Sequence, residues 1–446
     1  MFTRVALVGA SVLLLVLVSG CTDRPHLPGE PDEEPITENG NGAASIWYFD
    51  SASSDSRILL RWRTGRTGWV PGPQYPGDPP QSPPPAVGLV RVLISEESPE
   101  SGFTSVVVHE HDGPDSAWVE GLINGVAYHF RLATHDSAQH SLLGHSAPLM
   151  TTPGSPPSRL HVVATGLGSQ FFSTAAWSSD GRQLAFVRPT SHGPNGYEGN
   201  VCVFDVTTGG ERQLTLYEGT DHFVGGPAWS SDNAWIVYYY SPTRTAGGID
   251  YRVWRTPASS FDAASITAGR VDSSPAWGAD GEIVFCRGTW EPPNIPELWI
   301  ATPGTWAARQ LTFDQTSRKR HPSVNLLTGV IVYGDEPVGS LAQHLYTIDR
   351  TGGPTPLTEN RHWGEREPVW AADGRRVVFT SDRSGHFEIW SLDTASGTYL
   401  QLTRGMEDHP ARTAAALSPD GRLLAYREEL RYTSRGSLII AQLTDP

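Results

Sequence analysis

Pro368-Val369-Trp370-Ala371-Ala372-Asp373-Gly374, followed by Arg375-Arg376-Val377-Val378-Phe379, is the stretch on which the reading of this chain turns. Asp-Gly favours the positive φ angles of a tight hairpin, and the run after it is a strand pattern. A Trp before the turn is large and apolar, suited to packing between neighbouring sheets. The pattern recurs as Ala176-Trp177-Ser178-Ser179-Asp180-Gly181, Pro227-Ala228-Trp229-Ser230-Ser231-Asp232 and Pro275-Ala276-Trp277-Gly278-Ala279-Asp280-Gly281. Pro322-Ser323-Val324 is a degenerate copy, and Leu417-Ser418-Pro419-Asp420-Gly421 is the last. Units also end in Leu-Thr, at Leu214-Thr215, Leu311-Thr312, Leu357-Thr358 and Leu402-Thr403.

The key positions 177, 229, 277, 324, 370 and 417 recur at intervals of 46 to 52 residues. Four short strands at that period make a propeller blade. The sixth unit runs out at Ser437 to Leu443 with only three strands, and Leu160 to Thr165, ahead of the first unit, reads as the missing fourth. The expected architecture is a six-bladed β-propeller over 155–446, closed by pairing the two ends of that region.

Composition agrees with an all-β chain. Among 446 residues there are 46 Gly, 36 Pro, 15 Trp and only 3 Met, and Lys319 is the single lysine. Such a chain favours short strands and tight turns over long helices. A net charge of −15 argues against nucleic acid as a partner, because phosphate binding needs clustered cations.

Residues 1–20 read as a secretory signal, with Arg4 ahead of the apolar run Val5 to Val18. The run ends in Val18-Ser19-Gly20-Cys21, which resembles the bacterial lipobox, and the resemblance makes Cys21 the lipidation site. Residues 21–43 are rich in Pro, Glu and Gly and read as a disordered tether. Cys202 and Cys286 lie in strand-like runs of non-adjacent blades and read as free, buried thiols.

Residues 44–153 hold short alternating segments, among them Ile58-Leu59-Leu60-Arg61-Trp62 and Tyr128-His129-Phe130-Arg131-Leu132. The inward Trp62, the corner Leu122-Ile123-Asn124-Gly125-Val126-Ala127-Tyr128 and the closing Ser146 to Thr152-Pro153 resemble a fibronectin type III domain. That resemblance implies an immunoglobulin-like sandwich whose corner Tyr128 hydroxyl ties back to backbone. A Pro-rich insertion spans Thr64 to Ala86 and reads as a stiff surface loop; His109-Glu110-His111 reads as a solvated strand face.

The repeats resemble the WD40-like (PD40) units of TolB-type propellers, best at Phe379-Thr380-Ser381-Asp382-Arg383-Ser384-Gly385 and Ile389-Trp390-Ser391-Leu392-Asp393. The resemblance implies a fold first and a function only second. TolB-type proteins dock a peptidoglycan-associated lipoprotein and carry a mixed α/β domain ahead of the propeller. Here a fibronectin-like module stands in its place.

No catalytic residue can be assigned. Gly-x-Ser-x-Gly is absent, no hydrolase domain follows the last blade, the sialidase Asp-box is not matched, and no glycine-rich phosphate loop follows a strand. One constellation is a candidate binding site at the channel mouth: Asp221, His222, Asp272, His321, Glu365, Glu367, Asp408 and His409, from the loops ahead of each first strand. Converging His and carboxylates suit a divalent metal or acid–base work, though repeat geometry alone also puts polar groups there. The reading is a non-enzymatic lipoprotein of the bacterial cell envelope, anchored at the outer membrane, with no cofactor beyond that metal. Its partner would be a protein or glycan. The alternatives are a carbohydrate-active lyase or hydrolase and an envelope assembly or secretion factor.

Overall fold

The computed structural model describes residues 4–9, 12–18, 46–54, 56–64, 87–109, 114–136, 142–168, 175–189, 198–218, 222–242, 244–245, 248–269, 271–289, 294–340, 343–351, 353–358, 362–404, 411–429 and 435–443. Every regular element among them is a β-strand. The chain divides into two compact units at Ser155, the first also taking in Arg383–His386 and Arg404–Met406.

The first unit is two antiparallel sheets. One runs Arg4–Gly9, Val12–Val18, Pro114–Glu120, Arg57–Thr64, Ile46–Ser54, and the other Leu149–Thr151, Tyr128–Asp136, Val87–Ser95, Thr104–His109, with Leu142–His145 also on Tyr128–Asp136. Alternate residues point inward: Ile58, Leu60 and Trp62 from one sheet meet Val90, Val92, Tyr128, Phe130 and Leu132 from the other. The Tyr128 hydroxyl accepts the backbone N–H of Ile123 at 3.1 Å, the corner contact expected of this segment. The run expected to be a signal is paired here as a hairpin, with Leu15 opposite Glu120 at the sheet edge. An uncharged run of Val and Leu pairs readily with an open edge. Cys21, the tether, Glu110 and His111 lie outside the described residues, as does most of the Pro-rich insertion.

Six four-stranded antiparallel sheets, with the two-stranded hairpin Arg244–Thr245 and Gly248–Ile249 beside them, make up the second unit among the described residues. Their first strands are Ala176–Trp177, Phe223–Trp229, Asp272–Trp277, Ser317–Val324, Glu365–Trp370 and Ala411–Leu417. Each blade packs on the next and the sixth packs on the first. The sixth sheet takes its outer strand from Ser158–Gly168, with Thr165 opposite Ser437 and Ser158 opposite Gln442. The ring is therefore latched by the segment that the strand count required.

The repeated residues explain the blades. Ser178 Oγ donates to Asp180 at 2.6 Å and accepts the N–H of Gln183, closing the first hairpin; Ser230 with Asp232 and Ser418 with Asp420 repeat it. The Leu-Thr threonines accept a third-strand backbone N–H: Thr215 from Val201, Thr312 from Leu298, Thr358 from Leu345 and Thr403 from Ile389. Thr267 does the same for Val253. The indoles stitch neighbouring blades: Trp177, Trp229 and Trp277 donate Nε1–H to the carbonyls of Ala416, Ala176 and Ala228 at 3.0 to 3.1 Å. Cys202 and Cys286 are free and buried, and burial pushes each thiol up to about 12, so both are inert at neutral pH.

Candidate functional site

The first strand of blades two to six breaks register with the second, between Gly225 and Ala228, Ser273 and Ala276, Arg320 and Ser323, Arg366 and Val369, and Thr413 and Ala416. Inside each break one residue takes a positive φ: Gly226 at 56°, Ser274 at 52°, His321 at 48°, Glu367 at 55° and Ala414 at 53°. Four of the five carry a Cβ, at roughly 1–2 kcal/mol of strain each. Proline follows at 227, 275, 322 and 368. It has no N–H, so its place in the bulge leaves no orphan donor. The recurrent Pro-Ala-Trp is thus a bulge motif as well as a packing motif.

Between these bulges and the hairpin turns lies a cavity of about 390 Å³. Prolines 227, 275, 322 and 368 and tryptophans 177, 229, 277 and 370 line it. Ser179, Ser231 and Pro419 contribute to the same wall. Leu326 and Leu327 also line it, and Leu327 is 72 % exposed. In the degenerate fourth blade Asn325-Leu326-Leu327-Thr328-Gly329 replaces the Ser-x-Asp-Gly turn, and Asn325 Oδ1 accepts the N–H groups of Leu327 and Thr328. Two leucines are thereby raised at the cavity's edge.

The other ends of the first strands are charged and largely paired within the protein. Asp272, fully buried, takes Arg287 in a bidentate pair at 2.6 and 2.9 Å. Glu365, also fully buried, accepts from the Thr358 hydroxyl, and His344 Nδ1 stands 3.9 Å away. Glu367 accepts from Thr380 Oγ1 and from the Ala414 N–H, so it braces the bulge of the next blade. His222 is buried with Nε2 3.1 Å from the Gly199 carbonyl, and its ring lies near Tyr217 and Tyr240. His321 lines the cavity at its bulge; burial holds its imidazole below the ordinary value, against the pull of Glu367. Asp221, Asp408 and His409 lie outside the described residues.

Of the expected mouth residues that are described, only His321 reaches the cavity. Among the described residues no group of three or more His, Cys, Asp or Glu is arranged to hold a metal ion. Lys319, the single lysine, is 1 % exposed and donates to Asp314 at 2.6 Å and Ser317 Oγ at 2.6 Å, with Asp335 at 2.8 Å. Arg412 lies similarly between Glu388 and Glu428. What the sequence reading missed is the cavity at the tryptophan ends. Its signal in the sequence is the recurrent Pro-Ala-Trp, a motif that packing between blades explains equally well.

No family model matches the chain. Tol-Pal system protein TolB of Francisella tularensis subsp. mediasiatica is 24 % identical over 223 residues, covering 49 % of this chain and 48 % of the relative. The propeller is TolB-like. The chain spans about half the length of the curated relatives that it matches. Among solved structures, TolB from Acinetobacter baumannii superposes with a TM-score of 0.44 at 15 % identity, over 72 % of this chain and 78 % of that one. Oligogalacturonate lyase from Vibrio parahaemolyticus gives 0.44 at 12 % identity, over 72 % and 99 %.

Proposed function

We propose that this chain is a lipid-anchored protein of the bacterial cell envelope whose propeller is a non-catalytic docking platform. Cys21 is the anchor, 21–43 the tether, and the two-sheet unit a fibronectin type III-like spacer. On export the hairpin of residues 4–18 would leave with the signal, and Pro114–Glu120 would become the sheet edge. The TolB-like repeats favour an envelope partner, a protein or a glycan, and Thr22 directly after Cys21, where an Asp would favour the inner membrane, favours the outer membrane.

One observation carries the reading: the apolar cavity at the tryptophan ends of the first strands, with Leu326 and Leu327 at its edge. Exposed apolar side chains beside a concave surface mark an interaction site, and loops on a rigid ring hold it in place. Leu327→Glu puts a charge at that edge without touching the core. Crosslinking of the anchored protein in its own cells, followed by identification of what is captured, should give a defined partner for the natural chain and lose it for Leu327→Glu. Equal capture by both would remove the cavity from the reading. Failure of Cys21→Ser to release the protein from membranes would remove the anchor.

A further inference from the structure

Six similar blades supply their own internal control, and three residues that depart from the repeat meet at one place. Val201, Val253, Leu298, Leu345 and Ile389 are equivalent, since each gives its N–H to a blade threonine. Two residues further on stand Val203, Arg255, Ile300, Thr347 and Ser391. Arg255 is the one charge in that set. Gln183, Trp235, Glu282, Arg376 and Leu423 are equivalent too, each carbonyl closing a first hairpin. There Trp235 is the one aromatic.

The third departure costs conformational energy. In blades one and five the loop after the third strand closes with Gly209 and Gly397 donating to Asp205 and Asp393 four residues back, at φ 69° and 72°. In blade three the same bond runs from Trp306 to Thr302, and Trp306 holds a φ of 53°. A bulky residue with positive φ is a genuine outlier, and such strain gathers at ligand sites. The Arg255 guanidinium lies over both indoles, 4.2 Å from the Trp235 ring and 5.1 Å from that of Trp306.

Beside this stack opens a pocket of about 390 Å³, also lined by Trp277, Asp232 and Asp280. Asp232 already accepts from Ser230 Oγ and the Ala234 N–H, and Asp280 pairs with Arg350 at 3.1 Å. The backbone of Arg255 is paired in its sheet, but its side chain makes no hydrogen bond or ion pair among the described residues, and all the guanidinium donors lie on the edge of a plane held by indoles.

We propose that this pocket is a receptor for a carboxylate carried on a ring-sized ligand, an acidic sugar such as a uronate. The Arg255 fork takes the carboxylate in a bidentate pair, and the pocket is of the size that small ligands occupy. Asp232 and Asp280 on its wall repel a doubly charged phosphate more than a singly charged carboxylate. This pocket adjoins the apolar cavity, with Ser230, Ser231 and Trp277 on the wall of both, but the argument for it does not rest on the docking reading above.

Calorimetric titration of the full chain tests it, with glucuronate, glucose, and a short peptide with either a free or an amidated C-terminus. The variants are Arg255→Val and Trp306→Gly, each placing a residue that a sister blade already tolerates. The free carboxylates should bind and their neutral counterparts should not, and both variants should weaken binding about tenfold or more. Tighter binding of glucuronate than of the free-carboxylate peptide supports the acidic sugar; the reverse order overturns that source. Trp306→Gly should melt no lower than the natural chain, because it relieves the strained φ. Equal affinity for glucose and glucuronate, no carboxylate binding up to roughly 10 mM, or binding unchanged in Arg255→Val would each overturn the proposal.

Discussion

At the scale of single residues, the buried polar groups are held by short, repeated contacts that removal should expose. Thr403 accepts the Ile389 N–H at 2.8 Å and donates to Glu388, and all three groups are buried. Thr403→Val keeps the shape, removes the acceptor of the Ile389 N–H and takes one donor from Glu388, which keeps Arg412; the loss should cost about 1–3 kcal/mol. A urea midpoint equal to that of the natural chain would show that the repeated threonine is dispensable. His129 makes a second case. Burial holds its imidazole down at about 4, below the ordinary 6.5, so the unfolded chain binds the proton more readily between those values. Stability from this group is complete above pH 6.5 and is lost as pH falls towards 4, on the order of 2 kcal/mol. Urea midpoints at pH 7.5 and 5 should therefore drop further in the natural chain than in His129→Gln, and parallel drops would acquit His129.

At the scale of elements, two devices repeat: the bulge that admits Pro-Ala-Trp, and the latch. Ser158–Gly168 covers the edge of Arg435–Gln442 along its length. Deleting 158–168 leaves that edge open and removes Val163 and Ala164 from the core between the last and first blades. The shortened chain should self-associate and unfold with a broader transition, as read by light scattering and urea titration. A monomer with an unchanged midpoint would mean that the ring does not need its latch. The first-strand bulge was not legible in advance, because Ser274, His321, Glu367 and Ala414 are residues that seldom adopt a positive φ. Only pairing on both sides, with a proline next in line in all but the last, holds them there.

At the scale of the whole molecule, the propeller separates chemistry by end. Charged groups sit at the starts of the first strands, where Asp272, Glu365 and Lys319 are enclosed, and apolar ones sit at the tryptophan ends. The docking proposed above uses the apolar end. The described carboxylates at the other end are occupied by protein donors rather than open to a metal. The melting temperature should therefore be unmoved by chelator or by added divalent cations. A shift of several degrees would restore the metal expectation and direct attention to Asp221, Asp408 and His409.

The sequence by itself determined the six-fold period, the closing pairing of the two ends, the inward Trp62, the Tyr128 corner and the two free thiols. Each follows from local turn chemistry, alternation or a count of strands, which are properties of neighbours along the chain. Tertiary structure alone decided that the tryptophan ends of the first strands line a cavity, and it brought Trp235, Arg255 and Trp306 together. Those outcomes depend on where backbone carbonyls and N–H groups from separate blades fall, and on a φ angle that residue identity does not announce. The spacing of the motifs specified a ring; the bulges within its first strands specified the wall of the cavity at their tryptophan ends.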